Sequence, residues 1–168
     1  MVVEEAITLG LPLRRALRID RPGHYLHTIG GGLGWGIGAA VGARLGRPDL
    51  PVVAVVGDGC ATFGMHGLWT AAHQRTPVLV VVANNGEYRT LKQTTLAHGG
   101  AAARSRTFLG MDLAEPRLDW ASLATGLGVT ATRVTAAADL AAVVAEADRL
   151  SAPLLVDLAV APLAEDER

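Results

Sequence analysis

Two polar clusters interrupt the apolar character of this chain where chemistry could be done. Gly57-Asp58-Gly59 follows the run Val52–Val56, and Asn84-Asn85-Gly86 follows Val78–Ala83. Asp58 offers an anionic carboxylate and Asn85 a neutral amide oxygen. Both are hard donors, of the kind Mg²⁺ takes together with backbone carbonyls and the oxygens of a bound phosphate. The glycines beside Asp58 let the backbone turn sharply and approach a ligand closely, because they carry no Cβ. A helix starting after Gly59 would add N–H donors for that phosphate. Taken singly, Asp58 also reads as a helix cap and Asn84-Asn85-Gly86 as a turn. The metal reading rests on finding both at adjacent strand ends.

Such a pair needs two neighbouring strands that finish at the same edge of a sheet. Val52–Val56, Val78–Ala83 and Leu154–Val160 are continuous Val/Leu runs, the pattern of strands covered on both faces in a parallel sheet. Tyr25–Ile29 and Val129–Val134 are weaker strands. Helical periodicity falls at Leu33–Leu45, His66–Gln74, Tyr88–Thr95, Trp120–Gly126 and Ala136–Leu150, with Thr135 as N-cap of the last. Pro77 and Pro153 sit at strand entrances, where a missing N–H does least harm. The alternation predicts an α/β, doubly wound, mainly parallel sheet with helices on both faces. In that architecture ligands bind outside the carboxyl ends of the strands, where both polar clusters fall. The segment from His98 to Pro116 has no clear period and reads as one long loop of the length that often forms a functional lid. The terminal AEDER reads as a solvated end.

Composition narrows the class. The chain has 168 residues, half of them hydrophobic but only 4% aromatic, so Val, Leu and Ala must build the core. Fifteen Lys and Arg against sixteen Asp and Glu give a formal charge of -1, which advertises no surface for nucleic acid or an anionic membrane. One cysteine excludes an internal disulfide framework and fits a reducing cytoplasm. The start MVVEEAITLG has early acids and no basic region, unlike a signal peptide. The longest apolar stretch, around residues 29–43, is glycine-laden and shorter than a bilayer span.

Gly34, Gly38 and Gly42 lie four apart, on one helical face. Each glycine in a helix costs about 1 kcal/mol relative to Ala, so this spacing predicts close packing against the sheet or another helix. The glycines do not form GxGxxG between a first strand and a first helix, which argues against a dinucleotide site. His24, His27, His66, His73 and His98 show no metal spacing, and His66 and His73 read as sharing a surface face. Arg14, Arg15, Arg18 and Arg21 form a basic run that is solvated or faces a partner.

GDG followed at this distance by NN resembles the thiamine-diphosphate signature of the 2-oxo acid decarboxylase and acetolactate synthase superfamily. GGLGWGIGAAVGARLGRPDLPVVAVVGDG, LWTAAHQRTPVLVVVANNGEY and LDWASLATGLGV are similar to the cofactor (PP) domain of benzoylformate decarboxylase-type enzymes. The resemblance runs from about Glu4 to Pro162. It implies a single thiamine-diphosphate-binding domain over residues 1–168, with the side chains of Asp58 and Asn85 and the backbone carbonyl of Glu87 holding Mg²⁺. Gly59, Cys60 and Tyr88 would meet the diphosphate. Cys60 departs from the small hydroxyl residue common there, and a thiol is the weaker donor. A backbone carbonyl near Gly31 and Gly32 would accept from the cofactor's exocyclic amine, and Leu33 would wedge the cofactor into its bent form. Trp35 reads as packing. Thr90, Leu91 and Thr94, on the helix after Asn85, would line the pocket for a 2-oxo acid substrate.

Enzymes of this family activate the cofactor through a glutamate on a separate pyrimidine-binding domain, which this chain lacks. No catalytic residue is therefore expected within it, and Glu4 and Glu5 lie too near its start to substitute. The resemblance implies a thiamine-diphosphate-dependent lyase, decarboxylating or carboligating, that works as an oligomer with a pyrimidine-binding domain or subunit. Two alternatives stay open: a separately encoded subunit of a sulfopyruvate- or phosphonopyruvate-type decarboxylase, and a non-catalytic binding or assembly module that retains the fold.

Overall fold

The structure, a computed structural model, describes residues 1–163; the tail expected to be solvated, residues 164–168, lies outside the described residues. The apolar runs form the sheet they predict. Strands β1 (Val2–Glu5), β2 (Tyr25–His27), β3 (Val52–Gly57), β4 (Val78–Asn84), β5 (Thr130–Val134) and β6 (Leu154–Ala159) pair in the order β2-β1-β3-β4-β6-β5, every pair parallel. Between them run α1 (Ile7–Ala16), α2 (Gly36–Gly46), α3 (Asp58–Gly64), α4 (Gly67–His73), α5 (Arg89–His98), α6 (Ala101–Ser105), α7 (Trp120–Gly126) and α8 (Ala137–Ala145).

Strand alternation sends residues to two cores. Val52, Ala54, Val56, Val78, Val80 and Val82 pack with Ile37 and Val41 of α2, Leu68 of α4 and Trp120 of α7. Leu79, Val81 and Val156 pack with Leu140 and Val143 of α8 in a second cluster. All seven residues of β4 are buried, which explains why its run is continuous rather than alternating. Register then sets the site. Val52 pairs with Val78 and Gly57 with Ala83, so Asp58 emerges level with Asn84, and Asn85 stands one residue beyond. Among the described residues no helix is long and apolar enough to cross a membrane.

The sequence reading missed β1, α1 and α6, while the helix expected after Gly59 is α3, which begins already at Asp58. The second half of β1 is Glu4-Glu5, a pair that patterning assigns to solvent; both are buried, at 2% and 3% exposure. Gly10 and Pro12 disguise α1, since proline in a helix interior removes a hydrogen bond. Gly10 is needed there, because a Cβ would stand 2.3 Å from the Glu4 carboxylate.

Several boundaries also differ from expectation. Thr135 does not cap α8: Ala136 holds that position with no side-chain cap. The expected helix 136–150 divides into α8 and a 3₁₀ turn, Ala147–Arg149. The stretch from His98 to Pro116 is not wholly a loop, because α5 runs to His98 and α6 follows. Gly34 has φ +93° and lies outside α2. Gly38 and Gly42 are exposed with nothing within 4 Å of a would-be Cβ, so the close packing expected along that face is absent. It occurs instead between Gly34 and Gly64, where a Cβ on Gly64 would stand 2.2 Å from the Gly34 carbonyl oxygen.

Candidate cofactor site

Asp58 opens α3 at the end of β3 and is 3% exposed. Its Oδ1 accepts from the Gly59 N–H at 2.9 Å. Its Oδ2 reaches across to the end of β4 and accepts from the Gly86 N–H at 2.7 Å. Gly86 presents that N–H with φ +70°, a conformation that favours glycine. Burial pushes the Asp58 carboxyl above its ordinary value, opposed by the N–H groups of Gly59 and Gly86.

The two asparagines part company. Asn84 is buried and donates to Asp157 Oδ1 of β6 at 2.8 Å, so it ties two strands together. Asn85 is half-buried and faces the cleft, where its Oδ1 accepts from the Glu87 N–H at 3.2 Å. Glu87 also lines the cleft, but its carboxylate turns into the protein: Lys92 Nζ lies 2.6 Å from Oε2 and the Leu163 N–H donates to Oε1. The resemblance assigned Glu87 only a backbone carbonyl, and the structure adds a buried ion pair behind it.

The glycine loop before α2 is held from β1. Glu5 accepts from the Gly34 N–H and, at 2.7 Å, from the Gly36 N–H. Since α2 has no cap of its own, Glu5 supplies one through space, with its negative charge at the favourable end of the helix. Gly31 and Gly32 are exposed and have no neighbours within 4 Å of a would-be Cβ; Gly31 has φ +67°. Leu33 follows at the cleft wall, 38% exposed.

These groups open on one cleft of about 740 Å³. Asp58, Gly59, Cys60, Asn85, Glu87 and Tyr88 lie at the strand ends, and α1 and α5 form the outer walls. Tyr88 lies against Gly59, where a Cβ would come within 2.5 Å of its ring. Thr90 and Leu91 line the α5 wall, while Ile7, Thr8 and Leu11 line the α1 wall. The hydroxyls of Thr8 and Thr90 meet at 3.0 Å. Thr94 does not line the cleft, whereas Gln93 does. Gly31 and Gly32 likewise stand outside the lining. The α1 wall went unread because α1 itself did.

Among the described residues no three His, Cys, Asp or Glu side chains group as metal ligands. A cation at this site would depend on Asp58, an amide oxygen, backbone carbonyls and oxygens of its ligand. That donor set is all-oxygen and fits Mg²⁺. Cys60 is not part of it: burial, with the charge of Glu5 next, pushes its thiol up to about 11, so it stays protonated at neutral pH. His66 is exposed before α4, and His73 stacks on Trp69 with centroids 4.8 Å apart.

Sheet topology and the polar floor define an α/β protein with an open cleft at the carboxyl ends of its parallel strands, where ligands of such folds bind. Residues 9–158 match the family model "Thiamine pyrophosphate enzyme, C-terminal TPP binding domain". The chain is 30% identical over 156 residues to benzoylformate decarboxylase of Pseudomonas aeruginosa, covering 93% of this chain and 28% of that protein. It is 31% identical over 144 residues to the acetolactate synthase large subunit of Corynebacterium glutamicum, covering 84% and 22%. Among solved structures, the thiamine diphosphate-dependent 4-hydroxybenzoylformate decarboxylase of Rhodococcus jostii RHA1 superposes with a TM-score of 0.87 at 31% identity, over 96% of this chain and 29% of that one. The chain therefore belongs to the thiamine pyrophosphate enzyme family, as its C-terminal TPP-binding domain. It spans less than a third of the length of each of these relatives.

Proposed function

We propose that this chain binds thiamine diphosphate through Mg²⁺ and forms the cofactor half of a carbon–carbon lyase acting on 2-oxo acids. The observation that carries the reading is the pairing of Asp58 and Asn85 at adjacent strand ends, open to one cleft and locked together through the Gly86 N–H. Asp58, Asn85 and the Glu87 carbonyl would hold the cation, and Gly59, Cys60 and Tyr88 the diphosphate. Gly31, Gly32 and Leu33 would receive the aminopyrimidine end. When bound, the cofactor supplies an acidic carbon that becomes a nucleophile and an electron sink for decarboxylation. This chain's residues bind and orient it. Leu33, Leu11 and Leu91 exclude water from the approach, and Thr90 meets the substrate's variable group. The proton-activating glutamate belongs to a pyrimidine-binding domain that completes the site, so no catalytic residue is assigned within this chain.

Isothermal titration with thiamine diphosphate, in the presence of such a partner, tests the reading. Binding is expected only with Mg²⁺ and is expected to disappear in Asp58→Ala; metal-dependent binding unchanged in that variant would refute the assignment. The aliphatic and threonine walls favour no aryl group, so no strong preference for benzoylformate over aliphatic 2-oxo acids is expected. A kcat/KM ratio of about 100-fold or more for the aryl substrate, equivalent to about 3 kcal/mol of transition-state discrimination, would contradict that.

A further inference from the structure

Behind the turn that carries Asn85 and Glu87 lies a cluster of charged side chains that the function proposed above does not use. Lys92 of α5 is 3% exposed. Its ammonium contacts the buried Glu87 carboxylate at 2.6 Å and also the carboxylate of Asp112, whose side chain is 67% exposed. The Phe108 ring lies 5.9 Å from the same nitrogen, within cation–π range. Burial alone would lower the lysine's pKa, but hydrogen bonds and charge from Asp112 and Glu87 outweigh it and hold the ammonium above its ordinary value.

Glu87 and Asp112 are opposed in a short antiparallel bridge. On either side of them the Tyr88 N–H donates to the Met111 carbonyl at 2.9 Å, and the Leu113 N–H to the Gly86 carbonyl at 2.7 Å. Met111–Leu113 is thus a strap across the turn. Like charges directly opposite each other repel and destabilise such a pair; Lys92, bonded to both carboxylates, removes that repulsion. Gly86 is the hinge of the arrangement, because its carbonyl takes the strap and its N–H takes Asp58.

We propose that Lys92 is a positioning residue: by neutralising Glu87 and Asp112 it clamps the strap onto the Gly86–Tyr88 turn, and so fixes the oxygens that the turn offers to a divalent cation and its diphosphate. The positioning half rests on the cofactor reading; the clamp does not. All the groups assigned to cation and diphosphate lie in this chain, so magnesium diphosphate is a sufficient probe without a partner domain.

Two measurements on the same variants decide it. Amide hydrogen exchange without ligand reads the clamp at Tyr88 and Leu113. Titration with magnesium diphosphate reads the positioning. Lys92→Met is expected to speed exchange at both amides and to weaken binding by about tenfold or more, the usual effect of losing an outer partner of a metal ligand. Lys92→Arg keeps the charge and is expected to restore both readouts. Adding Asp112→Asn to Lys92→Met is expected to recover part of each, since one of the opposed charges is gone; a purely packing role for the lysine would give no such recovery. Asp112→Asn alone alters an exposed residue and keeps the test alive if Lys92→Met fails to fold: it should speed exchange at Leu113 slightly and spare β4. Unchanged exchange in Lys92→Met overturns the clamp, and faster exchange with unchanged affinity overturns the positioning role. Wild-type protein that ignores magnesium diphosphate would instead overturn the cofactor reading and the positioning role with it, while exchange still judges the clamp.

Discussion

Asp58 was legible because its neighbours are glycines and its register partner lies beside another polar turn; Glu4, Glu5 and Lys92 were not. Nothing in the local pattern marks a glutamate pair near a chain start, or a lysine inside a polar helix, as buried. Each is instead buried because specific groups complete it: backbone N–H groups for Glu5, Tyr25 and the Ala6 N–H for Glu4, and two carboxylates for Lys92. Completion of this kind depends mainly on partners distant in the chain, Tyr25 for Glu4, Gly36 for Glu5 and Asp112 for Lys92, and no local pattern carries it. Asp119 is the opposite case, a local cap. It accepts from the Ser122 N–H at 3.0 Å and the Ser122 hydroxyl at 2.7 Å, and these bonds hold its carboxyl below the usual carboxylate range. A group with a lowered folded-state value contributes stability above its unfolded value and loses it as pH falls through the folded one. Asp119→Ala is therefore expected to lower Tm at neutral pH, with the gap from wild type closing in acid below the ordinary carboxylate range. Thermal melts across pH 2 to 7 check this, and a gap independent of pH would show that the cap acts without its charge.

Among the elements, β3, β4 and β6 were readable because burial on both faces leaves an uninterrupted Val/Leu run. Helix ends and glycine roles were not, since they depend on what packs nearby. The glycines of the α2 region make the point. Spacing suggested a tight face through Gly34, Gly38 and Gly42, yet only Gly34 is crowded, and its partner Gly64 sits on α3. Opposite outcomes follow for the same substitution. Gly38→Ala and Gly42→Ala fill open space in a helix interior and are each expected to stabilise the isolated chain by up to about 1 kcal/mol. Gly64→Ala drives a methyl into backbone and is expected to destabilise by about 1–3 kcal/mol or more. Denaturant titrations of the three variants suffice. A destabilising Gly38→Ala in the isolated chain would mean that α2 packs against another copy there.

The molecule as it stands leaves large apolar side chains in water in the loop after β2 and on α3 and α4: Ile29 at 100% exposure, Phe63 at 56% and Trp69 at 54%. Exposed apolar surface of this kind marks interfaces, and the chain covers under a third of its relatives. Association is therefore expected, with a pyrimidine-binding domain in a working enzyme and with copies of itself when alone. Light scattering after size exclusion at micromolar protein checks the second part, and a clean monomer that binds cofactor tightly unaided would count against both.

Sheet order has a further consequence, for synthesis rather than for catalysis. Strand β4 takes β3 on one side and β6 on the other, and β6 is the last of these six strands to be synthesised. Until residues 154–159 emerge, the strand buried along its whole length, VLVVVAN, has a bare hydrogen-bonding edge, the kind of edge that recruits strands from other chains. A chain ended at Ser151 should aggregate on expression although every group assigned to the cation is present. A nascent chain would depend on rapid completion or a chaperone for the same reason.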